Sequence, residues 1–223
     1  MKYGQIAGNK HLNELIYRCF SYISDDDERK FVKKLREQPS ESEQILHTVR
    51  ELILGAYLGS NGFKVEYDRE VNNQTPDWCI LDDTLAKCCI VELVNFHIDR
   101  TTEIDIEEQL QAKGVASYWR DGDKNNTYRL YECIRCKSQV YQKLVEHLKL
   151  PYVIAIFGDI LAAIDLEEVQ SCLFEDEIGL FKLYPSNSGV LYFADNLGQY
   201  SFHYSRNPNA KGAFNLPNGV FPP

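Results

Sequence analysis

Seven consecutive positions, Cys88-Cys89-Ile90-Val91-Glu92-Leu93-Val94, carry apolar side chains everywhere but one. Successive side chains of a strand point to opposite faces, so a run that is apolar on both belongs in the middle of a covered sheet. A second such run, Pro151 to Phe157, follows a long stretch with Leu130, Ile134, Tyr141, Leu144 and Leu148 on one helical stripe. Strand, helix and strand in that order predict two parallel strands joined by a right-handed crossover. The chain before Cys88 predicts antiparallel neighbours instead: an outer strand at Phe63 to Tyr67, a break at Asn72-Asn73-Gln74, a strand at Trp78 to Leu81 and a turn at Asp82-Asp83-Thr84. The sheet is therefore expected to be mixed.

The other segments predict additions to this core. Leu12, Leu15, Ile16, Cys19, Phe20 and Ile23 have helical spacing, and the acids from Asp25 can open a second short helix through Phe31, Val32 and Leu35. Nothing in these two helices suggests chemistry. A longer helix begins at Ser40 or Ser42, buries Ile45, Val49, Leu52, Ile53 and Ala56, and ends at Ser60-Asn61-Gly62. Residues 98–126 are polar and poorly periodic, with a short helix around Ile104 to Ala112 and a loop at Asp121 to Asn126, as expected of a lid or an insertion. Leu161 to Cys172 is expected to be helical, Val190 to Phe193 and Gln199 to Tyr204 to form a hairpin, and the tail from Asn207 to run as loop pinned by Phe214 and Phe221. At 223 residues this predicts one α/β domain: a helical extension over 1–38, a core over 40–160 and a C-terminal addition over 161–223.

Composition narrows the classes of function. No stretch approaches the roughly 20 apolar residues of a membrane span and no leader-like N-terminus is present, which places the chain in the cytoplasm, away from membranes. Seven scattered cysteines, an odd number, fit reduced core thiols better than a disulfide framework, and Cys133 and Cys136 lack the second pair a zinc site needs. The net charge of −9 argues against a general nucleic-acid binder. Much of that excess lies in local clusters, Asp25 to Glu28, Glu103 to Glu108 and Glu175 to Glu177, expected on solvated faces or helix starts away from a cleft.

Three charged residues sit where apolar ones are expected. Glu92 interrupts the central strand, Asp77 opens the neighbouring one, and Lys137 lies in the helical stripe between Ile134 and Tyr141. An unpaired buried lysine can lose several pKa units, roughly 4–7 kcal/mol, so Lys137 predicts carboxylate partners, and Asp77 and Glu92 are the available ones. The two acids meet on one face if the strand register permits. Glu51 lies off the stripe of its helix, on a face with His47, Gly55 and Leu58; spacing alone makes it a solvated carboxylate, and Gly55 marks a close approach. If Glu51 reaches in as well, the hard oxygens suit Mg²⁺ or Mn²⁺.

This order of parts resembles the core of the PD-(D/E)XK, restriction-endonuclease-like nuclease superfamily: a helix bearing Glu51, a strand, Thr75-Pro76-Asp77-Trp78, Glu92 in the third strand, then a helix and a buried strand, over about residues 42–158. The resemblance implies a central mixed sheet flanked by helices and metal-dependent hydrolysis of DNA or RNA. It assigns Glu51, Asp77 and Glu92 to Mg²⁺ or Mn²⁺, and Asp77 and Glu92 to catalysis. The family's lysine belongs two places after the second acid, where this chain has Val94; some members carry it on the following helix, where Lys137 stands. With Lys137 as substitute the resemblance implies a nuclease; without one, an inert binding or scaffold module. Duplex cleavage needs two sites and so implies a homodimer, although no segment signals dimerisation. His97 just past the strand could help position a phosphate, although a lone histidine there is more often structural or solvated; Gln139 is expected to be exposed, and Tyr141 in the core or orienting Lys137. Tyr118, Trp119 and Arg120 could stack on bases or anchor their loop.

Overall fold

The computed structural model describes residues 10–37, 42–98, 100–117, 124–159, 162, 164–196 and 198–221. The apolar run becomes strand β3, Lys87–Phe96, third in a seven-stranded mixed sheet whose spatial order follows the sequence, β1 to β7. On one side, β2 (Trp78–Leu81) pairs antiparallel with β3 and β1 (Lys64–Tyr67) antiparallel with β2. On the other, β4 (Tyr152–Gly158) and β5 (Gly189–Asn196) run parallel to β3, and β6 (Gln199–Arg206) and β7 (Gly219–Phe221) close the sequence antiparallel.

Alternation along β3, β4 and β5 divides their side chains between two cores. Val91, Leu93, Val153, Ala155, Leu191 and Phe193 pack on one face with helices α1 (Lys10–Phe20), α2 (Asp25–Glu37) and α3 (Ser42–Ser60). Ile90, Val94, Phe96, Ile154, Ile156 and Val190 pack on the other, under α5 (Lys124–Leu148), α6 (Leu166–Phe174) and α7 (Leu180–Leu183). Apolar side chains on both faces are what the central strands required.

Several local expectations change. The stretch after β3 forms α4, Arg100–Lys113, longer than the spacing of its few apolar residues predicted, and α5 starts at Lys124, inside the expected loop. Helix α6 begins at Leu166, where Asp165 and Glu168 form a reciprocal capping box. The tail adds β7, with Phe221 fully buried, because pairing to β6 satisfies backbone groups that a loop leaves to solvent. The acidic start of α2 is not wholly solvated: Asp27 is buried, and its Oδ1 accepts from the Tyr67 amide at 3.1 Å and from Lys30 Nζ at 3.0 Å. Lys30 Nζ also donates to the Tyr67 carbonyl at 2.5 Å, so α2 is docked on the end of the edge strand β1. Among the described residues no helix is long and apolar enough to cross a membrane, and all seven cysteines are free thiols.

Candidate active site

Strands β2 and β3 pair with Trp78 opposite Val91 and Cys79 opposite Ile90; one further step sets Asp77 opposite Glu92. The irregularity in this pair lies at Ile80 and Leu81, away from the acids. Glu92 Oε2 accepts from the Asp77 amide at 3.3 Å, and Asp77 Oδ2 accepts from the Leu93 amide at 2.6 Å. Strand pairing thus brings the two acids together at the start of β2, where the sheet gives way to the turn after Gln74.

Helix α5 reaches this pair from one face. Lys137 Nζ donates to Glu92 Oε1 at 2.6 Å, and the Tyr141 hydroxyl, one turn on, hydrogen-bonds the same carboxylate. The Tyr141 ring stacks on Tyr152 with centroids 5.2 Å apart. Burial and then the Glu92 charge push the Tyr141 hydroxyl well above its ordinary range, so it remains a donor. Tyr141 is therefore both a core residue and a Glu92 partner.

Glu51 has a matching shell on the other face. It is buried rather than solvated; Oε2 accepts from Lys34 Nζ of α2 at 2.7 Å and from the Tyr67 hydroxyl at 2.5 Å. Each glutamate is therefore held by one lysine and one tyrosine. Gly55 explains how α3 comes so near: a Cβ there would lie 1.9 Å from the Trp78 ring. The same indole donates to the Glu51 carbonyl at 2.8 Å, tying the helix to β2 beside Asp77.

Asp77 lies between the two shells. Burial, then the negative charges of Glu92 and Glu51, push its carboxyl up to about 8, against the lowering effect of the Leu93 amide and Lys137. Asp68, at the end of β1, is also raised, first by burial. Four acids, Glu51, Asp68, Asp77 and Glu92, thus gather around the ammonium groups of Lys34 and Lys137, with Lys30 acting on Asp68 as well. Even so, among the described residues no three His, Cys, Asp or Glu side chains converge closely enough to hold a metal ion. No known protein family, curated protein or solved structure matches this chain.

Lys34, Tyr67 and Asp68 were not anticipated. Lys34 carries the signal that exposed Lys137: a lysine three places after a buried apolar residue, here Phe31, in a helical stripe. Tyr67 and Asp68 follow only from where α2 docks. Val94 is buried among apolar residues on the α5 face and supplies no polar group. Gln139 is exposed and donates to the Tyr184 hydroxyl at 2.9 Å. His97 is partly exposed and is not part of the acid pair; it stands beyond the end of β3 against His47. Tyr118, Trp119 and Arg120 lie outside the described residues.

Removing Lys34 leaves Glu51 buried with only Tyr67 as charge-stabilising partner. Lys34→Met is expected to cost about 1–2 kcal/mol, measured by urea denaturation without divalent ions. Millimolar Mn²⁺ should restore part of that loss if a cation takes the place of the ammonium; a variant as stable as wild type would remove Lys34 from the site.

Proposed function

We propose that the chain is a divalent-metal-dependent phosphodiester hydrolase acting on DNA or RNA, built on a restriction-endonuclease-like core. The observation that carries this reading is the 2.6 Å contact of Lys137 with Glu92, beside Asp77 on the adjacent antiparallel strand. It supports Lys137 as the substitute for the lysine that Val94 displaces. The mixed sheet with helices on both faces supports the same architecture.

Oxygen donors suit Mg²⁺ or Mn²⁺, and Asp77, raised to about 8 by burial and then by Glu92 and Glu51, is a carboxyl whose ionised form a hard cation would favour. Glu51, Asp77 and Glu92 do not converge closely enough for this in the structure and would hold the ion only once Glu51 turns to it from Lys34. A cation held there would supply a coordinated water of lowered pKa and offset charge on the scissile phosphate. Lys137 orients Glu92 and presents a positive charge to the attacked group. Tyr141 and Tyr67 hold the two glutamates from opposite faces of the sheet. Two such sites in a homodimer would suit a duplex substrate.

Calorimetric titration with Mn²⁺, combined with cleavage assays on single- and double-stranded DNA and RNA, tests this. The expected result is Mn²⁺ binding that Asp77→Ala abolishes and cleavage that requires the ion. Absence of both in the wild-type protein would leave the second reading, an inert binding or scaffold module, which buried Val94 favours by withholding the usual lysine position.

A further inference from the structure

A second polar cluster lies where α3 passes the end of β3. His47 Nε2 and His97 Nε2 are 2.8 Å apart, with rings parallel to within 7° and centroids at 5.0 Å. Arg50 Nη1, on the next turn of α3, is 3.2 Å from the same His97 nitrogen. Three nitrogen atoms thus crowd one point. The acid of the cluster lies on the other side: Asp159 Oδ2 accepts from Arg50 Nη2 at 2.9 Å and faces His97 Nδ1 at 3.5 Å.

That placement fixes the proton pattern. Asp159 favours the N–H of His97 at Nδ1, which leaves Nε2 as the acceptor for Arg50 and His47. One lone pair therefore receives two donors. An oxyanion at this point would accept from both, beside the His97 ring. The donors are well positioned for this. Arg50 is only 9% exposed, with its guanidinium 4.0 Å over the Phe157 ring and Nη1 at 3.5 Å from Asn95 Oδ1. Arg129 of α5 donates to the His97 carbonyl at 2.8 Å and brings a second permanent positive charge. His97 keeps 24% of its side chain exposed, so the point is open to solvent. Glu51, one turn beyond His47, is turned to Lys34 and Tyr67.

We propose that His47, Arg50 and His97 form a phosphate-binding site. Donors arriving from a helix and from a strand end suit a tetrahedral oxyanion better than a planar carboxylate. None of the three belongs to the Asp77–Glu92 pair, so the site does not depend on catalysis there. The phosphate could be free or part of a polynucleotide backbone.

Calorimetric titration of the full chain with inorganic phosphate near neutral pH should show binding in the millimolar range. His47→Phe and His97→Phe, which keep the stacked rings and remove the nitrogens, should each weaken binding at least about tenfold. If either variant folds poorly, imidazole ¹⁵N spectra of the wild type serve instead: phosphate should shift both Nε2 resonances. No binding in the millimolar range, or binding that both variants retain, would overturn the site. In EDTA, where metal-dependent cleavage is silent, a single-stranded DNA oligomer that competes with phosphate assigns the site to the backbone. An oligomer that does not compete assigns it to free phosphate, and either result keeps it.

Discussion

Gly55→Ala should destabilise the protein by about 3 kcal/mol or more, although alanine is the better helix former. The added Cβ would meet the Trp78 six-membered ring at 1.9 Å, and the ring is wholly buried, so helix and strand must separate. Separation also strains the indole bond to the Glu51 carbonyl, worth about 1 kcal/mol. For a chain of this size the loss corresponds to roughly 6–12 °C in Tm, measurable by calorimetry. Trp78→Leu in the same background removes the clashing atoms, and the double-mutant cycle should return a favourable coupling above about 1 kcal/mol. Additive effects would mean that Gly55 is not where α3 meets the sheet.

Glu92→Gln should have the largest effect on activity, with metal-dependent cleavage falling by at least about 10³-fold while the shape of the site is kept. The substitution removes one carboxylate, leaves Lys137 without its charge partner and takes away a negative neighbour of Asp77. The last of these has its own readout. In the metal-free wild type, burial and then Glu92 raise Asp77 from 3.8 to about 8. The folded state therefore holds a proton that the unfolded chain releases at lower pH. The contribution of Asp77 to stability is fully present below about 4 and is lost progressively as pH rises to about 8. In Glu92→Gln the Asp77 midpoint should move down, because the second cause of its elevation is gone while burial remains. Carboxyl ¹³C titration checks this; an unmoved midpoint would mean that the two acids do not interact.

The layout of the sheet was legible because its signals are local. A strand apolar on both faces has no place but the middle, and a lysine inside an apolar stripe demands a carboxylate. Cys88 to Val94, Pro151 to Phe157 and Lys137 carry those statements without reference to the remainder of the chain. Glu51 misled for the complementary reason: helical periodicity reports the stripe facing the sheet, and a second neighbour, α2, covers another side of α3. Burial of Glu51 depends on that neighbour. Lys34 belonged to a segment in which nothing suggested chemistry, and its role exists only because Asp27 and Lys30 clamp α2 to the end of β1.

By itself, then, the sequence determined the mixed sheet, the placing of Asp77 and Glu92 on neighbouring strands and the need of Lys137 for an acid, since pleat alternation, helical period and the cost of a buried charge act within one or two elements, whereas the register that sets the two acids opposite each other came with the structure. Only the tertiary structure decided that each glutamate has its own lysine and tyrosine, that Asp77 is raised between them, and that His47, Arg50 and His97 meet at one point. Those arrangements depend on distances between elements far apart in the chain, and charge–charge interaction depends on distance and burial, which no spacing along the sequence encodes.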